Sequence, residues 1–228
     1  MAVAFVNSAT GQESFSDTET FSLTVSAGDN RLLMVGVGRY NPAEAVSTVT
    51  FNGEALEEWA DVTNPITTTF RTSVWYMVEP AVATANVVIT MAASVDRLAA
   101  LADVFTGVDQ TTPLDTAVID SGLGPDDATV AVSSATDDLV VDFFNCRDAA
   151  TTIGADQTER AIQTNSPVTM RSSTEPGATS VTMSWSGIAN FENFDEIGIN
   201  INAAGGGGAA GNAGRLLFAD DRNYLMMH

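Results

Sequence analysis

The chain has 228 residues and a formal net charge of −20, set by 29 Asp or Glu against nine basic residues, all of them Arg. One cysteine, Cys146, excludes an intrachain disulfide and a multi-thiolate zinc cluster. One histidine, the terminal His228, excludes a Ser-His-Asp or Cys-His pair inside a domain unless it reaches back, and the charge repels phosphate and anionic lipid, so neither nucleic acid nor a membrane surface is an expected partner.

Residues 1–6 are apolar, but Asn7, Ser8 and Thr10 follow at once and no basic residue precedes Arg31. A secretory signal needs a positive start and about 7–15 apolar residues, so none is expected. The segment 1–20 reads equally as a first strand or as an arm. Phe21-Ser22-Leu23-Thr24-Val25 alternates apolar and polar, as a half-buried strand does. Ser26 to Asn30 reads as a turn. Arg31 to Gly38 is a continuous apolar run and predicts a central strand covered on both faces. Val49-Thr50-Phe51 leads into Asn52-Gly53, a strong hairpin signal. Further strands are predicted over Thr72–Met77, Asn86–Met91, Asp138–Phe144, Ser180–Trp185 and Ile197–Ile201. Asp96 to Phe105 has helix-favouring Ala and Leu, but its setting among strands favours a strand. A chain of this size buries roughly 70% of its unfolded surface, so no metal or disulfide is needed to hold a core. The expected fold is all-β: an antiparallel β-sandwich of jelly-roll type over residues 1–202.

After Asn202 the composition changes. Residues 203–214 are almost entirely Gly and Ala and read as a linker. Residues 215–228 follow as a C-terminal arm with Leu216, Leu217, Phe218, Tyr224, Leu225, Met226 and Met227. Fourteen residues cannot form a core. Two readings stand open: the arm packs back on its own domain, or it docks on another chain by strand addition or in an apolar groove. The Gly-rich tether gives reach and leans toward the second.

Four stretches occur in a telling order: Phe21–Gly38 (FSLTVSAGDNRLLMVGVG), Val46–Leu56 (VSTVTFNGEAL), Val74–Pro80 (VWYMVEP) and Val104–Leu114 (VFTGVDQTTPL). Together they resemble a β-sandwich domain type of phage virion proteins and large bacterial surface proteins. The resemblance covers about half the chain. It implies a structural or adhesive module and carries no catalytic motif.

The carboxylates are the first candidate site. Glu54, Glu57, Glu58 and Asp61 lie close in sequence, and Asp126-Asp127, Asp137-Asp138, Asp195-Glu196 and Asp220-Asp221 are adjacent pairs. Glycosidase chemistry would need two acids facing across a cleft. A calcium site would need converging oxygens, and no Asp-x-Asp-x-Asp-Gly loop occurs. A solvated acidic surface is the leading expectation, with no metal assigned. Among the aromatics, Trp75 and Tyr76 must point to opposite faces of their strand, and Trp185 shares a face with Val181 and Met183. Trp59, after an acidic stretch near a hairpin, is the best candidate for stacking on a sugar. Cys146 reads as a buried thiol. The absence of Lys removes isopeptide cross-links and Schiff-base chemistry.

The sequence therefore predicts a protein without catalytic residues or cofactor, acting by assembly. The expectation is an outer-surface component of a tailed-phage virion, a capsid decoration protein or a tail- or fibre-associated one, with other virion proteins and copies of itself as partners. The alternative is a carbohydrate-binding or adhesin module using Trp59, with calcium as an auxiliary.

Overall fold

A computed structural model describes residues 1–41, 44–147 and 151–205. These residues are all-β, as expected. The first half forms β1 (Ala4–Glu13), β2 (Ser16–Val25), β3 (Leu32–Tyr40), β4 (Val46–Phe51), β5 (Glu54–Ala55), β6 (Glu57–Thr63), β7 (Phe70–Val78), β8 (Ala83–Val95) and β9 (Arg97–Thr106). The second half forms β10 (Val118–Leu123), β11 (Ala128–Ser133), β12 (Leu139–Arg147), β13 (Thr152–Ile153), β14 (Thr158–Asn165), β15 (Val168–Pro176), β16 (Ser180–Ser186) and β17 (Asn193–Ile201). The stretch from Asp96 is the strand β9, so packing between sheets overrides the helix propensity of its alanines.

The strands are wound as nested ribbons. In the first half β1 pairs with β9, β2 with β8, β3 with β7 and β4 with β5, all antiparallel. This is jelly-roll winding. Its innermost turn is Asn52-Gly53, both with positive φ (51° and 83°), as the hairpin signal requires. The second half repeats the pattern: β10 with β17, β11 with β16, β12 with β15. The strand orders match position by position. An inner sheet runs β1-β9-β3-β7-β6 in the first unit and β10-β17-β12-β15-β14 in the second. The outer sheets run β2-β8-β4-β5 and β11-β16-β13. The single sandwich expected over residues 1–202 is thus two sandwich units in tandem.

The two inner sheets pack face to face, giving four layers. Alternation along β3 and β12 shows why. Leu33, Val35 and Val37 enter the core of the first unit, while Leu32 and Met34 join Leu139, Val141, Phe143, Ile197 and Ile199 in a core shared by both units. On β12 the other parity, Val140, Phe144 and Cys146, faces the second outer sheet. Both central strands therefore carry apolar residues on both faces, as strands covered on both faces do. Each fully buried Leu, Ile or Phe contributes about 1.5–3 kcal/mol to this stacking. Phe5 and Trp59 pack at opposite margins of the shared core. At one margin β1 binds β14, through Ser8 Oγ to the Arg160 carbonyl (3.2 Å) and Asn165 Nδ2 to the Glu13 carbonyl (2.6 Å). At the other, Trp59 on β6 binds Asp115, just before β10. First and last strands thus exchange places between the sheets, and the stack is close to two-fold symmetric.

The strand directions also give the molecule two distinct ends. Met1, the connector 107–117 between the units and the chain exit at Gly205 share one end, where the Met1 amine donates to the Ala204 carbonyl (3.1 Å) and Ala204 N–H to the Gly107 carbonyl (2.7 Å). The loops 64–69 and 187–192 lie at the other. The apolar arm residues 216–227 fall outside the described residues.

Candidate functional site

Trp59 sits on β6, the edge strand of the first inner sheet, beside a bulge between Glu58 and Ala60. The bulge turns the indole over the margin of the shared core. It is half-buried, meets Tyr76 edge-on (5.4 Å between centroids) and donates Nε1–H to the Asp115 carbonyl (3.2 Å). A groove of about 430 Å³ beside it is lined by Trp59, Ala60, Asp61, Thr116, Ala117 and Ile119. Tyr76 in turn donates its hydroxyl to Glu57 (2.8 Å), and burial together with that carboxylate raises its pKa. Trp59 is thus half-exposed while its polar atom is already used. Trp75, on the opposite face of β7, is buried in the core of the first unit, and Trp185 is buried with Val181 and Met183, both as the alternation predicts.

The acidic pairs divide. Asp137 is exposed, whereas Asp138 caps its loop, accepting from Ala135 N–H (3.1 Å), Ala203 N–H (2.8 Å) and Asn200 Nδ2 (3.1 Å). Asp220-Asp221 lies outside the described residues. Asp195-Glu196 departs from the expected solvated surface: both side chains are fully buried. Being neighbours on β17, they point to opposite faces of the second inner sheet and cannot act as a pair.

Asp195 points into the shared core. Its Oδ2 accepts from Thr72 Oγ1 (2.9 Å), and its Oδ1 accepts from Asn64 Nδ2 (3.3 Å) and from the Ser121 hydroxyl. Burial pushes its pKa up to about 6 against the pull of these donors. Asn64 ties the same region together. Its Nδ2 donates to the Gly122 (3.1 Å) and Phe194 (3.0 Å) carbonyls, and its Oδ1 accepts from Ile66 and Thr67 N–H.

Glu196 faces the second outer sheet and is coupled to Asp142 on the neighbouring strand. The two carboxyls lie diagonally across the β12–β17 ladder, where Asp142 is opposite Gly198 and Glu196 opposite Phe144. Asp142 accepts from Trp185 Nε1 (2.6 Å) and from Ser173 through Oγ (2.6 Å) and N–H (2.9 Å). Glu196 has no such donors. Burial raises its pKa first, and Asp142 and Asp120 raise it further, which favours its neutral form beside Asp142. The pair is roofed by Trp185, stacked on Phe144 at 5.0 Å. The arrangement stores a proton in the interior and presents no reacting atom to a cleft.

Two further buried charges escape the sequence reading. Asp103 on β9 points into the shared core, with no partner at full hydrogen-bond geometry and the Ser172 hydroxyl as its nearest donor. Burial lifts its pKa to about 7, partly offset by that hydroxyl and by the Arg160 charge. Arg39, fully buried at the end of β3, donates to Ser73 Oγ (2.7 Å) and Asp61 Oδ1 (2.9 Å), while Arg71 holds the same carboxylate through Nε (2.9 and 3.0 Å). Burial lowers the Arg39 pKa to about 10. The available signal for these residues was a charge interrupting an apolar run: Asp142 in LVVDFF, Asp103 in LADVF, Arg39 after LLMVGVG. Among the described residues no cluster of His, Cys, Asp or Glu has the form of a metal site.

Comparison of the chain with protein-family models, with curated proteins and with solved structures gives no match.

Proposed function

We propose that this chain is a structural protein that works by assembly, an outer-surface component of a tailed-phage virion such as a capsid decoration or tail- or fibre-associated protein. The observation that carries the reading is the construction itself. Two jelly-roll units of one strand order are joined through their inner sheets into a four-layer block, with the described chain leaving at Gly205 at one end and an apolar sequence following at 215–228. Such a block transmits load and holds its surfaces at fixed spacing. Jelly rolls serve in capsids and in lectins alike, so the fold alone supports this only by analogy. The charge distribution adds support. The outward rows Thr18/Thr90, Ser22/Asn86 and Thr24/Thr84 on one outer sheet, and Thr129/Ser184, Ala131/Thr182 and Ser133/Ser180 on the other, are uncharged. These faces let copies of a −20 chain approach without direct carboxylate repulsion. The solution mass tests the reading. The full chain is expected as one defined oligomer, and deletion of residues 215–228 as a monomer with unchanged β-sheet circular dichroism. Monomers in both cases would overturn it.

The Trp59 groove favours a second reading, a carbohydrate-binding or adhesin module. A half-exposed indole beside Asp61 and Thr116 gives a pyranose an aromatic surface and polar groups to bond. Glycan binding lost in Trp59→Ala, with or without calcium, would establish it. No binding by the intact chain under either condition would remove it.

A further inference from the structure

The end of the molecule opposite the chain exit carries two of its most exposed apolar side chains. Ile66, in the loop between β6 and β7, is 56% exposed, and Phe191, in the loop between β16 and β17, is 82% exposed. The loops are neighbours. Asn193 Nδ2 donates to Thr67 Oγ1, and Asn64 Nδ2 donates to the Phe194 carbonyl (3.0 Å). They are also fixed in place. Asn64, itself fully buried, accepts from Ile66 N–H (3.1 Å) and Thr67 N–H (3.2 Å), and Phe191 N–H donates to the Gly124 carbonyl (3.1 Å). Phe191 has φ 64°, a left-handed backbone that disfavours a bulky side chain. A large apolar ring is therefore held in water at a conformational cost, a combination that fold stability does not call for and that a binding contact does.

From these observations we infer that Ile66 and Phe191 form the receiving surface for the C-terminal arm of a second copy, joining copies head to tail. The inference rests on the assembly reading above. Strand β17 supplies the geometry: it starts two residues after Phe191 and ends four before Gly205, so the receiving surface and the exit lie at its opposite ends. Nine residues of strand span about 30 Å, and the loops add to that. The nine residues 206–214 reach about 30 Å when fully extended. Leu216 and Leu217, at the start of the arm, thus meet their own loop end only with the linker stretched along the whole body. The loop end of a copy stacked at the exit lies within a fraction of that reach. Leu216, Leu217, Phe218, Leu225 and Met226 supply apolar side chains of the kind that cover Phe and Ile. A head-to-tail contact of this type is heterologous, and it propagates into a ring or a filament.

The test uses full-length chains altered at one side of the junction only. Phe191→Asp with Ile66→Asp removes the receiving surface, and Asp tolerates the left-handed backbone at 191, so the fold is retained. Phe218→Asp with Leu225→Asp removes the arm. Wild type is expected to sediment as an oligomer, and each variant alone at the monomer mass of 23.8 kDa. An equimolar mixture of the two variants retains one intact junction and is expected to stop at about twice the monomer mass. A receiving-surface variant that assembles like wild type, while the arm variant does not, overturns the inference and leaves the assembly reading standing. An arm captured by any other surface gives the same result. Wild type that stays monomeric at all concentrations overturns the assembly reading, and this inference with it.

Discussion

Phe143 stands directly over Gly36 at the centre of the molecule: a Cβ at residue 36 would come within 2.3 Å of the Phe143 ring and 3.1 Å of the Met170 methyl. Gly36 is on β3 and Phe143 on β12, so this contact joins the central strands of the two jelly-roll units. Gly36→Ala is expected to cost about 1–3 kcal/mol, the usual range for overpacking a filled core. Phe143→Leu in the same chain should recover part of the loss, because it removes the atoms that collide. Urea unfolding of the two single variants and the double variant measures the coupling. Additive losses would show that the sheets are not in contact at this point.

The second prediction concerns pH. Asp195, Asp103, Asp142 and Glu196 are all carboxyls whose pKa burial raises, to about 6 for Asp195 and about 7 for Asp103, and higher still for Glu196. Unfolded, they ionise near pH 4. Between that point and the folded pKa values the native state binds more protons than the unfolded one, so stability falls as pH rises. The protein is expected to be most stable near pH 4–5 and to lose ground through pH 7 and beyond, by on the order of 5 °C or more in Tm between pH 5 and pH 9. Glu196→Gln keeps the shape and removes the proton that must be lost, leaving Asp142 beside a neutral amide. Its Tm should exceed that of wild type at pH 9 and match it near pH 5. Equal pH dependence of the two chains would rule out a neutral Glu196.

Much of this architecture is legible in the residues, and the parts that are not have a common physical cause. Strands that bury one face or both, such as β2, β3, β12 and β16, announce themselves by alternation or by apolar runs. Strands β14 and β15 do not. Their sequences TERAIQTN and VTMRSSTEP are polar, yet Ser172, Ser173 and Thr174 are buried, with the Ser173 hydroxyl donating to Asp142 and the Thr174 hydroxyl accepting from Arg160. Strand β1 is hidden in the same way by Asn, Ser and Thr on a sheet edge. The tandem repeat is masked by divergence. LTVSAGDNRLLMV (23–35) and VAVSSATDDLVVD (130–142) occupy equivalent places, and Asn30 and Asp137 even share a left-handed backbone (φ 54° and 74°), but few identities remain. Asp195-Glu196 reads as a surface pair because polar residues are usually exposed. Here the rule fails, since a four-layer stack leaves its inner strands no solvated face.

Asp195 allows a third prediction. It accepts from Thr72 on β7, Ser121 on β10 and Asn64 at the loop end, joining the three. Asp195→Ala leaves the Thr72 hydroxyl without an acceptor beside a cavity in the shared core, while Asn64 and Ser121 keep the Phe194 carbonyl. The expected loss is about 3 kcal/mol, from the unpaired buried hydroxyl together with the three lost bonds to a carboxylate. Thr72→Val combined with Asp195→Ala removes the stranded donor and should cost less than the sum of the two single changes. Chemical denaturation of the four chains gives the interaction energy, and simple additivity would contradict the network.

The last prediction turns on an asymmetry around Asp61. Arg39 is fully buried with Asp61 as its only charged hydrogen-bond partner, whereas Asp61 is also held by Arg71 from the rim. Removing the carboxylate strands a buried cation, which burial already pushes toward losing its proton. Asp61→Ala is therefore expected to cost about 3–5 kcal/mol, as breaking one side of a buried pair does. Arg39→Met fills the same space with an unbranched apolar chain and leaves Asp61 satisfied by Arg71, so its cost should be about 1 kcal/mol or less. In the double variant Asp61→Ala with Arg39→Met no buried charge remains unpaired, and the loss should fall well below that of Asp61→Ala alone. Urea unfolding of the three chains decides the point: if Arg39→Met is as damaging as Asp61→Ala, the guanidinium stabilises the fold through Ser73 and its packing rather than through the carboxylate.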